Sequence, residues 1–328
     1  MSFVKSFKLC GMLAFIILLT LHFSENSKAE FVKDFDCIPQ AIKTPAQKGL
    51  KIVGEMSEFD PCNASVEFYR PDNIKSPPII IIAHGGGGKR DAINITREFQ
   101  KLGFATLIFD AYEMNGIPLG RIGNAYRQMM ILKTTYAAYE WTLTRKDVDT
   151  SKIYFYGISN GASVVINIAG MVDSKHVRGV IAEAPTTTGI GYPNEITIPI
   201  KIIFGKLDDL GAKPGQNRWE IRDPCKISVF FDFAPNGTAQ TCNSKTKDKN
   251  KKSISSMDWV KTVVKKQNTF IEVEFIDDMA HGAFIRELKI DTRDFGQGLI
   301  GWSLGGTNKS RTKMLDAISG FIEKQNTR

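Results

Sequence analysis

Gly157-Ile158-Ser159-Asn160-Gly161 is the stretch that decides the fold, because it fits the pattern Gly-x-Ser-x-Gly in a strand–turn–helix context. The apolar run at 152–156 predicts a buried strand before it, and the apolar run at 162–169 predicts a helix after it. Glycine on either side of the serine allows a sharp turn without clashes of Cβ atoms. Such a turn presents the Ser159 hydroxyl outward, near the positive end of the following helix.

The N-terminal segment predicts export. Lys5 and Lys8 precede an apolar run over residues 9–21, and the polar segment after it ends in Ser27-Lys28-Ala29. This order is typical of a secretory signal peptide, which we place at residues 1–29. The run is short for a membrane span, which needs about 20 residues, and a retained anchor is the alternative. We expect a periplasmic or secreted protein with no stable membrane span after cleavage.

Four cysteines remain once this segment is removed. An even number of cysteines in an exported chain favours disulfides. Of the three possible connectivities, proximity in sequence favours Cys37–Cys62 and Cys225–Cys242, since short loops close at low entropic cost. The sequence has no Cys-x-x-Cys pair and no cluster of cysteine and histidine, so we expect no metal site.

Composition limits the possible functions. The chain has 328 residues, a net charge of +8 and 42% hydrophobic residues, so residues 30–328 can form one large domain. The densest basic stretch, 245–252, also contains Asp248 and Asn250 and has no aromatic residue. It predicts a solvated loop, and we expect no nucleic-acid partner. The sequence does not determine an oligomeric state.

Strands and helices alternate along the chain, which predicts an α/β fold with a mostly parallel, doubly wound sheet flanked by helices. The apolar runs predict strands at 78–83, 104–109, 152–156, 177–182, 200–204 and 270–276, and an antiparallel edge strand at 64–69. Helices are predicted at 91–102, 124–145, 162–171, 257–266 and 312–324. Two stretches interrupt this order: 211–256 predicts an excursion or cap, and the glycine-rich stretch 286–306 predicts a loop.

A serine at such a turn needs a base, an acid that orients the base, and donors for an oxyanion. Of the four histidines, only His281 follows the last predicted strand, in the required order of serine, acid and histidine. The acid is Asp208, after the turn at Gly205, with Asp209 as the competing choice and one of the two a solvated loop acid.

His84-Gly85-Gly86-Gly87-Gly88 follows the first long strand and is suited to donate backbone N–H groups to an oxyanion. We assign the two donors to Gly86 and to Asn160, the residue after the serine. A phosphate-binding loop is the rival interpretation, but the Lys-Ser/Thr of that motif is absent. We interpret His84 as structural.

With these residues placed, the chain resembles the α/β-hydrolase superfamily and, within it, the dienelactone hydrolase-like branch. The resemblance covers about residues 65–324 and lies in His84-Gly85-Gly86, Phe109-Asp110-Ala111-Tyr112, the turn at Ser159, Gly205-Lys206-Leu207-Asp208 and His281-Gly282-Ala283-Phe284. It implies hydrolysis of esters or lactones without a cofactor. The founding members of that branch use cysteine where this chain has Ser159, so a serine esterase is the expected variant.

Three functions compete at this point. The first is an exported serine hydrolase that acts on a small-molecule ester or lactone through Ser159, His281 and Asp208. The second is a peptidase of the prolyl-oligopeptidase type, although the chain has no room for a propeller before the hydrolase domain. The third is a non-catalytic binding protein with the same fold. Arg121 is a candidate for contact with an acidic substrate, with an exposed loop arginine as its alternative.

Overall fold

The computed structural model describes residues 29–32, 59–116, 124–186, 193, 195–220, 260–261, 271–294 and 298–327. Eight strands form the main sheet, and two more form a hairpin. In chain order they are β1 (Ala29–Phe31), β2 (Glu67–Pro71), β3 (Ile79–Ala83), β4 (Ala105–Ile108), β5 (Ile153–Ile158), β6 (Val177–Glu183), β7 (Ile200–Gly205), β8 (Ile271–Ile276), β9 (Thr292–Asp294) and β10 (Leu299–Gly301).

Five α-helices accompany these strands in the described part of the chain. They are α1 (Ile93–Lys101), α2 (Ala111–Met114), α3 (Asn124–Leu143), α4 (Asn160–Ile168) and α5 (Asn308–Asn326). Short 3-10 turns lie at Lys89–Asp91 and Arg218–Glu220. Within these described residues, no helix is both long enough and apolar enough to cross a membrane.

The order of strands in the main sheet is β1-β2-β4-β3-β5-β6-β7-β8. Strands β3 to β8 are parallel to one another, whereas β2 is antiparallel to β4 and β1 is antiparallel to β2. The connection from β3 leads to β4 on one side of it, and the connection from β4 crosses back over β3 to β5 on its other side. The predicted mostly parallel, doubly wound sheet of the α/β-hydrolase fold is therefore confirmed.

Alternate residues of the central strand β3 face two separate cores. Ile79 and Ile81 belong to the core that α3 and α4 cover, whereas Ile80 and Ile82 belong to the core that α1 and α5 cover. All four side chains are fully buried. A strand covered by helices on both faces has no polar side, which is why its sequence is a continuous apolar run.

The predicted strands and helices agree with the structure with two corrections. The antiparallel strand near Ala64–Tyr69 is not at the edge of the sheet, because β1 pairs outside it. The stretch 286–306 is not simply a loop, since β9 and β10 pair within it. Of the predicted helix at 257–266 only residues 260 and 261 are described, and both are helical. The leader (1–29), apart from Ala29, and most of the excursion at 211–256 lie outside the described residues.

Candidate active site

Ser159 lies at the turn between β5 and α4, and its backbone is in a strained conformation. Its φ of 57° and ψ of −115° are rarely adopted by a residue with a side chain. The strain is held in place by hydrogen bonds, because the Ser159 N–H donates to the Glu183 carbonyl (2.9 Å). The Ser159 carbonyl in turn accepts from the N–H of Ser163 (3.2 Å), one turn into α4.

The two glycines of the motif are required by close approach of neighbouring backbone. A Cβ atom on Gly157 would lie 2.2 Å from the Gly161 carbonyl oxygen, and one on Gly161 would lie 2.1 Å from the carbonyl oxygen of Ala83. Both distances are shorter than any van der Waals contact. The turn therefore folds only with glycine on both sides of Ser159.

The glycine-rich loop after β3 lies directly beside this turn. A Cβ atom on Gly85 would lie 3.4 Å from the Cβ of Ser159, and one on Gly86 would lie 3.5 Å from Nδ2 of Asn160. Asn160 is buried, and its Oδ1 accepts a hydrogen bond from Nε2 of Gln128 (3.2 Å). The structure thus brings the two predicted oxyanion donors, Gly86 and Asn160, next to the serine.

Two carboxylates shape this loop. The Gly87 N–H donates to Asp91 Oδ2 (2.6 Å), and the Lys89 N–H donates to Asp110 Oδ2 (2.8 Å). Burial raises the pKa of Asp91, against the opposing effects of the Gly87 N–H and His84. These bonds hold the backbone N–H groups of the loop in fixed directions, which an oxyanion site needs because the donors must not have to reorganise during the reaction.

His84 supports the loop from below. Its Nε2 accepts from the Ala111 N–H (2.9 Å), so the proton is on Nδ1, which donates to the Gly85 carbonyl (2.8 Å). The side chain is fully buried, and burial lowers its pKa, against the charge of Asp110. Both ring nitrogens of His84 are engaged in hydrogen bonds, so neither is available to accept a proton from a substrate or a serine. This agrees with the interpretation of His84 as structural.

Asp208 and His281 form a buried pair. His281 Nδ1 lies 2.9 Å from Asp208 Oδ2, and the two residues are 2% and 1% exposed. Burial by itself would raise the pKa of Asp208, but the His281 charge and hydrogen bond, with Arg218 and the Leu210 N–H, lower it overall. Asp208 is therefore a carboxylate, Nδ1 of His281 carries the proton, and Nε2 is the nitrogen able to accept one.

Asp209 has a different role and is not a solvated loop acid. It is buried, and its Oδ1 accepts from the Ser303 N–H (3.0 Å) while Oδ2 accepts from the Gly215 N–H (3.2 Å). The Ser303 carbonyl accepts from the His281 N–H (3.4 Å). Asp209 thus holds the segment that pairs with the backbone of His281.

Glu183 is the residue of this region that the sequence analysis missed. It is the last residue of β6, it is fully buried, and its Oε1 accepts from the Ala283 N–H (2.6 Å), two residues after His281. Tyr156 donates its hydroxyl to the other oxygen, Oε2. A glutamate at the carboxyl end of the apolar run Val180-Ile181-Ala182 was the signal in the sequence that could have identified it.

The described contacts connect the serine to the histidine through their neighbours. A Cβ atom on Gly282 would lie 2.8 Å from Cδ1 of Ile158, so the residues next to His281 and Ser159 pack together. Within the described residues, the Ser159 hydroxyl makes no hydrogen bond. The centre of the Tyr112 ring lies 4.8 Å from that of His84. The buried Tyr112 hydroxyl is close to Asn160 but has no hydrogen-bond partner among the residues that the structure describes.

Several predicted residues fall outside the description. Cys62 is disulfide-bonded, but Cys37, Cys225, Cys242 and Arg121 lie outside the described residues, so both pairings stay predictions. In the part of the chain that is described, no group of three or more histidine, cysteine, aspartate or glutamate side chains could hold a metal ion.

A surface cavity of about 680 Å³, lined by Lys206, Trp219 and Phe275 among others, contains none of the candidate site residues.

The strand order of the main sheet and the strand–turn–helix at Ser159 are those of the α/β-hydrolase fold. Residues 65–224 match the model of the Dienelactone hydrolase family, so the predicted resemblance to that family is confirmed over those residues. The chain is also 30% identical over 165 residues to the Quorum-quenching protein AidA of Acinetobacter baumannii (strain MDR-ZJ06). That match covers 46% of this chain and 51% of AidA, so the chain spans about half the length of this relative.

Solved structures with a similar fold include a putative dienelactone hydrolase from Klebsiella pneumoniae subsp. pneumoniae MGH 78578. It has a TM-score of 0.49 and 12% sequence identity, and the match covers 79% of this chain and 92% of that one. A second is the dienelactone hydrolase-like promiscuous phosphotriesterase P91 from metagenomic libraries. It has a TM-score of 0.48 and 14% identity, with coverage of 79% and 92%.

Proposed function

We propose that this protein is an exported serine hydrolase that cleaves ester or lactone bonds through Ser159, His281 and Asp208. The observation that carries the proposal is the strained turn at Ser159, which lies beside the Gly85–Gly86 loop. The turn that carries the buried His281–Asp208 pair packs against Ile158, the residue before the serine. A strained serine, backbone donors and a histidine oriented by a carboxylate are the parts that acyl transfer requires.

In the proposed reaction, Nε2 of His281 takes the proton of the Ser159 hydroxyl while Oγ attacks the carbonyl carbon. The negative charge that develops on the carbonyl oxygen is stabilised by the N–H groups of Gly86 and Asn160. His281 then gives the proton to the leaving alkoxide, and an acyl-enzyme remains. His281 then takes a proton from water, and the resulting hydroxide attacks the acyl carbon. As the bond from the acyl carbon to Oγ breaks, His281 returns the proton to Ser159 and the acid is released.

The charge on Asp208 supports this cycle. When Nε2 accepts the proton, the imidazolium is stabilised by the carboxylate 2.9 Å from its Nδ1. Because its lowered pKa keeps Asp208 ionised at neutral pH, no further proton transfer to the acid is needed. The N-terminus of the nine-residue helix α4 adds a positive field at Ser159 and Asn160.

Two other functions remain in competition: a peptidase of the prolyl-oligopeptidase type and a non-catalytic binding protein. The intact set of serine, histidine and acid favours an enzyme over a binding protein. The match to the Dienelactone hydrolase family favours an ester or lactone over a peptide. The relative named as a quorum-quenching protein favours including quorum-sensing signals among the compounds to be tested.

The decisive experiment combines covalent labelling with a substrate panel. A fluorophosphonate probe should label Ser159 in the wild-type protein and in Ser151→Ala, which removes an exposed serine, but not in Ser159→Ala. Chromogenic esters of graded length, lactones and peptides are then compared. Absence of labelling would contradict the proposal that the protein is a serine hydrolase, and turnover of peptides alone would support the peptidase alternative.

Export is tested separately, since it does not depend on the chemistry. N-terminal sequencing of the protein purified from the medium or periplasm should find Glu30 as the first residue. A protein that keeps residues 1–29 would support the alternative of a retained anchor.

A further inference from the structure

Glu183 is bonded to both sides of the candidate active site. Its backbone carbonyl accepts the N–H of Ser159 (2.9 Å), and its side-chain Oε1 accepts the N–H of Ala283 (2.6 Å). The first bond holds the turn that carries the serine, and the second holds the turn that carries His281. One residue at the end of β6 therefore connects the two segments whose separation matters for proton transfer.

The second bond is unusual because a buried carboxyl group makes it. Removing a carboxyl group from water is costly, and an apolar side chain would fill the end of a buried strand at lower cost. Burial raises the pKa of Glu183, while the Tyr156 hydroxyl, the Ala283 N–H and His281 act in the opposite direction and Asp208 acts in the same one. The hydrogen bonds from the Tyr156 hydroxyl and the Ala283 N–H offset this cost, and they fix the Ala283 backbone in a way that an apolar side chain could not.

Orientation of the carboxyl group comes from Tyr156. This residue is fully buried in β5, three residues before Ser159, and its hydroxyl donates to Oε2 of Glu183. With Oε2 occupied, Oε1 has one direction available, toward Ala283. The two hydrogen bonds of the Glu183 carboxyl group, from Tyr156 and from Ala283, thus connect the strand before the serine to the turn after the histidine.

We propose that Glu183 is a positioning residue that sets the distance between Ser159 and His281. It acts through the backbone of Ala283 and not as the acid of the triad, because the His281 ring is bonded to Asp208. This inference rests on the proposed serine hydrolase function. Misplacement of a reacting group by about 1 Å costs about 100-fold in rate, so a modest shift of the histidine turn is measurable.

The test compares Glu183→Ala with Glu183→Gln. Alanine removes the acceptor for the Ala283 N–H, so we expect kcat and the rate of fluorophosphonate labelling to fall about 10- to 100-fold with little change in KM. Glutamine keeps a carbonyl oxygen for Ala283 and can donate its amide to the Tyr156 oxygen, so it should restore most of the activity. Equal impairment of the two variants would show a general loss of packing and would overturn the proposal.

Asn94→Ala is the matched control. The Asn94 side chain donates to the Phe284 carbonyl (2.9 Å), so this variant also removes a side-chain bond to the histidine turn but leaves the connection to Ser159 intact. We expect labelling at the wild-type rate; an Asn94→Ala protein as slow as Glu183→Ala would overturn the specific role of Glu183.

A second variant covers the case in which Glu183→Ala does not fold. Tyr156→Phe keeps the carboxyl group and removes only the donor that orients it, so slower labelling with unchanged KM supports the proposal and unchanged labelling overturns it. If the wild-type protein is not labelled, the proposed function fails as well. A labelled wild-type protein with labelling of Glu183→Ala at the same rate overturns the role of Glu183 alone.

Discussion

Asp208 reaches His281 with its Oδ2 atom, 2.9 Å from Nδ1, whereas its Oδ1 accepts the N–H of Leu210 (3.1 Å) in its own turn. The carboxylate is thus fixed at both oxygens and cannot rotate away from the histidine. Its neighbour Asp209 points to Ser303 and Gly215 instead. The pair of acids that the sequence left ambiguous therefore separates into one that contacts the histidine and one that organises the adjacent loop.

Asp208→Asn should reduce kcat for an ester substrate by roughly 10³- to 10⁴-fold, because an amide favours the wrong tautomer of His281 and cannot balance the charge of an imidazolium. Asp209→Asn should leave kcat within about tenfold and lower the free energy of unfolding by about 1–3 kcal/mol, since its amide would face the Gly215 N–H without accepting from it. Kinetics and urea unfolding of both variants decide the matter; a larger loss of kcat in Asp209→Asn would reverse the assignment.

Gly161→Ala should destabilise the protein by about 1–3 kcal/mol or more and reduce labelling of Ser159, because the added Cβ would lie 2.1 Å from the Ala83 carbonyl oxygen. Gly320→Ala in α5 is the control, since nothing lies within 4 Å of its added Cβ. That substitution should stabilise the helix by roughly 0.5–1 kcal/mol. Thermal unfolding of both variants is the measurement, and a Gly161→Ala protein as stable as the wild type would contradict the close approach.

The pH dependence of stability should differ between the wild type and Glu183→Gln. In the folded protein the pKa of Glu183 is raised above its ordinary value of 4.5, so this group ionises in the unfolded chain at a lower pH than in the fold. The free energy of unfolding of the wild type therefore decreases as pH rises above 4.5. Glutamine has no such loss. Asp208 has the opposite sign: its lowered pKa stabilises the fold above 3.8, and that stability is lost as pH falls.

Urea unfolding near about pH 4 and about pH 7 measures this difference. Asp208, His281 and Tyr156 face Glu183 in both proteins, so their contributions cancel to first order. We expect the stability of Glu183→Gln relative to the wild type to rise from the lower to the higher pH. A constant difference would mean that Glu183 is ionised as easily in the fold as in the unfolded chain.

The cysteine pairings are tested by peptide mapping under non-reducing conditions. The structure shows that Cys62 is disulfide-bonded. We expect its partner to be Cys37, and we expect a second bridge between Cys225 and Cys242. Closure of a loop of 16 intervening residues stabilises by about 3 kcal/mol in the chain-entropy model. A bridge from Cys62 to Cys225 or Cys242, or four free thiols, would refute this pairing.

The sequence predicted the features that follow from local patterns. The buried strands β3, β4 and β5 are almost entirely apolar runs, and the turn at Ser159 has its own glycine pattern, so both were recognised. Strand β1 was missed because its three residues have no apolar pattern and depend on pairing with β2. Glu183 and Asp209 were missed or misjudged because their roles depend on backbone N–H groups about 100 residues away in sequence, which no local pattern encodes.

The short outer strand β1 has a consequence for the position at which the proposed signal peptide could be removed. Glu30 pairs with Arg70 and forms an ion pair with it (3.3 Å), and the ring of Phe31 contacts that of Tyr69. A cut after Ala29 would preserve both contacts, whereas a cut after Phe31 would remove β1 and leave the outer edge of β2 without a paired strand. An uncovered strand edge is a template for another chain, so the exact cleavage position separates a protected sheet from one open to self-association.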